Sequence, residues 1–277
     1  MIDLEKPWPE YDFIAFDTET SGAYPLGSEI VEFGAVKWRG GKEIDRYQTL
    51  LRPSKPMSAF IIGIHGISNE MVEDAPVMKD KISEIRAFLG ESILMAHHAP
   101  FDLGFVSADL ERYKIPFPTN PVLCTSLISR KVIHESANHK LQTLIGVLGL
   151  ERGSAHRAAD DANACLYVGL ECMKRIGPTA PLSQIMKVQG KMLYWSDYQL
   201  SGSGDPLIGK VIESLHDNLS MDIVYEGGSK GGETRRITPM GIVRNPDGDY
   251  VMAKCHRDGA QKRFYLNKIK DAAVAYS

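Results

Sequence analysis

Cysteine is scarce and unpatterned in this 277-residue chain. Its four cysteines, Cys124, Cys165, Cys172 and Cys255, form no Cys-x-x-Cys pair, which excludes a zinc ribbon and a disulfide framework. Cys165 and Cys172 fall in a helical pattern as small apolar residues, and reduced core thiols point to a cytoplasmic protein. No cationic stretch followed by an apolar run opens the sequence, so no signal peptide is expected. No apolar run approaches the ~20 residues needed to span a membrane. Positive charge is not in excess either: 32 Lys and Arg stand against 35 Asp and Glu, a net charge of −3. That balance argues against a strongly basic nucleic-acid binder. It leaves room for a phosphodiester-cleaving site, which is itself acidic because it must hold cations, with basic surface placed elsewhere.

The hydrophobic content of 43% is enough for a real core in either half. The first ~175 residues alternate strand-like and helix-like patterns, which predicts an α/β layer architecture. Strands are expected at Phe13–Phe16, Ile30–Trp38, Arg46–Leu51 and Ile93–Ala96, the first three as a meander in a mixed sheet. Helices are expected over Val77–Leu89, Leu103–Tyr113, Leu123–Val132, Leu141–Leu148 and Ala162–Met173. The composition changes near residue 176, and Ser201-Gly202-Ser203-Gly204 reads as a flexible linker. A short helix at Pro206–Leu215 is followed by alternating runs at Met221–Tyr225, Arg235–Thr238, Gly241–Arg244, Tyr250–Cys255 and Arg263–Leu266, separated by glycine turns. The expected organisation is a domain at 1–176, a linker at 177–204 and a small β-rich domain at 205–277. Leu182, Ile185, Met186, Met192, Leu193, Tyr194 and Trp195 predict that the linker packs on something rather than floating.

Phosphodiester hydrolysis must neutralise charge building on the transferred phosphorus and make a water nucleophilic near pH 7. Paired divalent cations do both, and hard cations need oxygen ligands gathered at strand ends. Asp17 and Glu19 lie at i and i+2 at the end of an apolar strand, so they share a face. Asp102 follows the buried strand Ile93–Ala96 and enters from the start of the next helix. Asp161 opens the last helix, with His156 five residues upstream. Five helical residues turn ~140°, so His156 must lie in the preceding loop and fold back to act as a base on water. Each element alone is weak; the ordered set carries the case.

That set resembles the DEDDh family of 3′→5′ exonucleases, which includes bacterial polymerase proofreading subunits. Phe16-Asp17-Thr18-Glu19-Thr20 is similar to its first motif, His97-His98-Ala99-Pro100-Phe101-Asp102 to its second, and His156-Arg157-Ala158-Ala159-Asp160-Asp161-Ala162 to its third. Ile64-His65-Gly66-Ile67-Ser68 and Lys140-Leu141-Gln142-Thr143-Leu144 match further family segments. The resemblance covers about residues 10 to 175. It implies a ribonuclease H-like mixed sheet flanked by helices and two Mg²⁺ or Mn²⁺ ions per site. By position, Asp17, Glu19 and Asp161 would hold the first ion, and Asp17 with Asp102 the second. His156 would be the general base, with Thr18, His65 and Phe101 against the terminal nucleotide. The sister subfamily carries Tyr where this chain has Arg157. Two positions depart from the pattern: His98 stands where the family usually carries Asn, and an Asp common near Cys124 is absent. Neither is a metal ligand, so an altered rate or substrate fit is expected, with the chemistry kept.

The C-terminal segment places Lys254, Arg257, Lys262, Arg263, Lys268 and Lys270 around Tyr250, Phe264 and Tyr265, a stripe suited to a phosphate backbone or a nucleotide. The runs Ile223-Val224-Tyr225, Arg235-Arg236-Ile237-Thr238-Pro239, Tyr250–Cys255 and Arg263–Ile269 resemble a WYL domain, although only Tyr250 of its namesake triplet is kept. The resemblance implies a small SH3-like β-barrel with Arg235, Arg236, Tyr250, His256 and Arg263 as ligand contacts. Together these features predict a 3′→5′ exonuclease that releases nucleoside 5′-monophosphates from single-stranded DNA, with partners in replication or repair. Two alternatives are an exoribonuclease acting on short RNA, and a nucleic-acid-binding or signal-sensing regulator that uses the nuclease fold as a platform.

Overall fold

The computed structural model describes residues 2–150, 156–200, 204–227, 231–245 and 247–276. Strands β1 (Phe13–Thr20), β2 (Ile30–Arg39) and β3 (Lys42–Leu50) form the expected meander, and β4 (Ile93–Ala96) and β5 (Val122–Cys124) complete a mixed sheet in the order β3-β2-β1-β4-β5. β1 pairs antiparallel with β2 and parallel with β4, which pairs parallel with β5. The helices are α1 (Ala59–His65), α2 (Asn69–Val72), α3 (Met78–Leu89), α4 (Pro100–Arg112), α5 (Thr125–Val132), α6 (Leu141–Leu148), α7 (Ala158–Ile176) and α8 (Leu182–Gln189).

Strand period 2 divides the central strand between two cores. Phe13 and Ala15 face a cluster with Leu166, Val168 and Met173 of α7 and Leu182 and Ile185 of α8. Ile14 and Phe16 face the other side, with Ile82 and Ile85 of α3 and Leu103 and Phe105 of α4. The segment after α7 does not float. Leu193, Trp195 and Tyr198 are buried in that second cluster, and the Trp195 ring stacks on Phe16 with centroids 6.1 Å apart. It therefore braces β1 from the face opposite Asp17 and Glu19. Ser201, Gly202 and Ser203 lie outside the described residues.

Helix α9 (Pro206–Asp217) and strands β6 (Ser220–Tyr225), β7 (Thr234–Val243), β8 (Tyr250–Cys255), β9 (Gln261–Tyr265) and β10 (Ile269–Ala275) follow. They form a second, antiparallel sheet in the order β10-β6-β7-β8-β9. Among the described residues β9 and β10 do not pair, so the expected SH3-like barrel is an open sheet here. A 3-10 turn at Leu266–Lys268 links β9 directly to β10, which pairs with β6. α9 packs Ile208 and Val211 on the core of this sheet. Leu26 and Ala108 of the first part join that same core, Glu111 accepts from the Leu200 amide at 2.7 Å, and Lys191 pairs with Asp247.

Candidate active site

Alternation along β1 puts Asp17 and Glu19 on the face covered by α7. The approach of that helix is set by one residue. Gly34 lies opposite Asp17 on β2, and a Cβ there would fall 2.1 Å from the Ala159 amide nitrogen. Only glycine lets the start of α7 press on the sheet, and that contact carries Asp161 to the two carboxylates. The helix begins at Ala158, with no side-chain cap from Arg157. Glu32, fully buried and opposite Glu19, supplies the cap instead, accepting from the Ala158 amide at 2.9 Å. Glu32 also accepts from Arg157 in a forked pair (Nη2 at 2.7 Å) and from Gln48 at 2.7 Å. Breaking such a buried pair from one side typically costs about 3–5 kcal/mol.

Asp102 comes from the opposite face. It lies in the first turn of α4, where Thr18 donates to its Oδ1 through both the backbone amide (3.0 Å) and the hydroxyl (2.8 Å). Thr18, expected to point away from the carboxylate pair, is thus the link that orients Asp102. Asp161 is held on both oxygens, by Gln142 Nε2 at 3.1 Å and by the His156 amide at 2.9 Å. His156 precedes α7 with a left-handed φ of 62°, as the loop placement requires, and its side chain is exposed. Carboxylate oxygens of Glu19 and Asp161 and a ring nitrogen of His156 all lie within 4.8 Å of one another.

Electrostatics join Asp17 and Asp102 to this group. Burial first, then Asp102, Glu19 and Asp161, hold the Asp17 carboxyl well above the usual carboxylate range. Glu19 is pushed up to about 8, by burial first and then by Asp161 and Glu32, with Arg157 partly opposing. Burial raises Asp102 to about 7 against its hydrogen bonds from Thr18, and burial raises Asp161. Acids that obstruct one another's ionisation in a desolvated pocket call for added positive charge. An all-oxygen donor set with one imidazole fits hard divalent cations such as Mg²⁺ or Mn²⁺.

His65 is buried at the end of α1, with Nδ1 accepting from the Ile67 amide at 3.0 Å. Nε2 therefore carries the proton, and burial lowers the ring's pKa while the Thr20 backbone opposes the shift. Phe101 is partly exposed and packs on Phe105 at 4.9 Å. His98 has φ 67°, a left-handed conformation in which Asn, Asp and His are the enriched non-glycine residues. That explains how His replaces Asn at this position without moving the chain toward Asp102.

The five C-terminal residues do not form one site. Arg236 is paired with Asp222 at 2.7 Å, and His256 Nε2 lies 2.7 Å from the Thr238 hydroxyl, at one end of the outer face of the sheet. Arg235 is opposite Ile223 and so projects from the inner side, where it donates to the Gly227 carbonyl at 3.3 Å. Tyr250 and Arg263 lie together at the other end, the guanidinium carbon 5.2 Å from the ring centroid.

The model of the exonuclease family (RNase_T) matches residues 14–168, and that of the WYL domain matches residues 206–274. The chain is 36% identical over 166 residues to DNA polymerase III PolC-type of Bacillus subtilis, covering 60% of this chain. The same polymerase of Oceanobacillus iheyensis is 35% identical over 167 residues. The chain spans only 12% of the length of either polymerase. Among solved structures, Exonuclease X in complex with 5′-overhanging duplex DNA is 28% identical with a TM-score of 0.50, covering 64% of this chain and 99% of that one. A 3′-exonuclease solved with a histone mRNA stem-loop has a TM-score of 0.52, covering 64% of this chain and 68% of that one. At 15% identity it shares the fold alone. Among the described residues no helix is long and apolar enough to cross a membrane.

Proposed function

This chain belongs to the exonuclease family, and we infer from its site that it removes nucleoside 5′-monophosphates one at a time from the 3′ end of single-stranded DNA. The observation that carries the reading is the meeting of Glu19, Asp161 and His156 within 4.8 Å, with Asp102, Glu19 and Asp161 each raising the buried Asp17 carboxyl. Asp17, Glu19 and Asp161 would hold one divalent ion and Asp17 with Asp102 a second. Bound there, Mg²⁺ or Mn²⁺ would neutralise the charge developing on the phosphoryl oxygens and acidify a water.

The protein's own groups do the rest. The backbone of His156 is fixed by Asp161, while its ring is free to take a proton from the attacking water at a ring nitrogen. Thr18 fixes the angle of Asp102. His65, its Nδ1 held by the Ile67 amide, would turn its Nε2–H to a phosphate or sugar oxygen, and Phe101 would offer a ring edge to the terminal base. The PolC-type polymerases and the DNA complex of Exonuclease X support DNA over RNA and a setting in replication or repair. Four buried, free cysteines are in keeping with the cytoplasm.

The test is metal dependence joined to Asp17→Ala. Activity on an end-labelled oligonucleotide should stop with EDTA, return with Mg²⁺ or Mn²⁺, and stay absent in the variant under every metal. Turnover in Asp17→Ala would refute the shared-ligand assignment.

A further inference from the structure

The loop that follows the catalytic strand, residues 21–29, reaches the C-terminal sheet. β6 pairs with β7 only over Thr234–Ile237, and beyond that β7 has only β8 as partner. The loop meets this stretch. A Cβ on Gly241 would lie 2.3 Å from Cβ and 2.4 Å from Cγ of Tyr24. The Tyr24 side chain thus fills the place that a side chain at 241 would take.

Register shows what else shares that surface. Ile242, Val251 and Phe264 are paired across β7, β8 and β9 and face the core. The alternate rows, Gly241-Met252-Arg263 and Val243-Tyr250-Tyr265, therefore form the outer face. Arg263 sits over the Tyr250 ring, Tyr250 meets Tyr265 edge-on at 5.8 Å, and Lys268 Nζ lies 5.6 Å over the Tyr265 ring. The nearby acid Asp249 is neutralised by Arg244 at 3.0 Å. Burial raises the pKa of the Tyr24 hydroxyl, Tyr250 raises it further and Arg263 opposes them, which places Tyr24 beside both.

We propose that Tyr24, Tyr250, Arg263, Tyr265 and Lys268 form one composite track for single-stranded nucleic acid, which leads from the carboxylate site onto the C-terminal sheet. Rings interleaved with cations suit a strand regardless of sequence, because every base has a π-face and every linkage a charge. The claim rests on the exonuclease reading and adds that the substrate strand, carried by both parts of the chain, is the ligand of this face. Tyr24 follows Asp17 by seven residues, at most ~25 Å along the chain. A stacked strand rises ~3.4 Å per nucleotide, so about seven nucleotides suffice to reach Tyr24, and slightly longer strands should reach Tyr250 beside it.

The experiment uses the full chain carrying Asp17→Asn, which prevents turnover, with Ca²⁺ and 5′-fluorescent oligo-dT strands of graded length followed by anisotropy. Affinity should rise about tenfold or more as length passes roughly eight nucleotides. Tyr24→Leu, Tyr250→Leu and Arg263→Gln should each erase most of that rise, and Tyr250→Phe, which keeps the ring, should retain it. A rise that survives Tyr250→Leu combined with Arg263→Gln overturns the track, as does the absence of any rise in the parent. A rise untouched by Tyr24→Leu overturns its composite character. Because binding is read without cleavage, a chain that cuts 3′ ends but shows no rise defeats this proposal alone. One that shows the rise but cuts nothing defeats the exonuclease reading instead.

Discussion

Replacing Glu19 by Gln should raise the stability of the metal-free protein while removing its activity, and the gain should depend on pH. The Glu19 carboxyl is pushed up to about 8 by burial and by Asp161, Glu32 and Asp102, from an ordinary value near 4.3. At ~1.4 kcal/mol per pKa unit the upper bound on its cost is ~5 kcal/mol. Glu19 keeps partial contact with solvent, which screens its charge, so about 1–3 kcal/mol is expected. The folded state favours the protonated acid. The penalty is therefore absent below about pH 4.5, grows as pH rises, and is complete above about pH 8. At ~2–4 °C per kcal/mol for a domain of this size, Glu19→Gln should melt ~2–12 °C higher near pH 8.5 in EDTA and level with the parent near pH 4.5. Circular-dichroism melts at the two pH values read this directly. Mg²⁺ should stabilise the parent more than the variant. A pH-independent gain, or a loss near pH 8.5, would refute the argument that crowded negative charge is what the metals relieve.

Three further perturbations address the positioning of the site. Gly34→Ala should displace the start of α7 and Asp161 with it, lowering stability by more than about 3 kcal/mol and abolishing turnover; an unchanged denaturation midpoint would contradict the close packing at Ala159. His156→Asn, which suits a left-handed backbone better than Ala does, should lower the rate by about 10²–10⁴ and remove the base limb of the pH profile while Mn²⁺ titration by calorimetry still shows binding. Arg157→Gln should leave Glu32 buried without its cation and cost about 3–5 kcal/mol, whereas Arg39, exposed in its pair with Asp12, should be replaceable by Gln at under about 1 kcal/mol.

Strand β1 was readable because its apolar alternation ends in carboxylates, with Asp17 and Glu19 continuing the face of Phe13 and Ala15. The ordering of Asp17, Glu19, Asp102, His156 and Asp161 then separated this site from ordinary surface charge. What local patterns hid has a common cause: the partner is far away in sequence. Helix α7 begins at Ala158 rather than at 162 because Glu32, 126 residues earlier, caps it. An acid inside the apolar run Ile30-Val31-Glu32-Phe33 was the available signal. Gln142 and Arg157 were likewise missed as positioning groups. Residues 123–132, which read as one helix, contain the end of β5 and the whole of α5; a three-residue buried strand has no period to distinguish it from a helical turn. The short helices α1 and α2, and strand β10, gave no sufficient pattern of their own. The open edge of the second sheet and the meeting of Tyr24 with Gly241 depend on how two distant segments dock.

The carboxylate cluster should cut from a 3′ end, one nucleotide at a time. The most direct measurement follows the same single-stranded DNA labelled at either end, incubated with Mg²⁺ and sized over time. The 5′-labelled strand should shorten through a ladder of single-nucleotide steps, and the 3′ label should appear at once as a mononucleotide bearing a 5′-phosphate. Internal fragments, or a 5′ label released first, would contradict it.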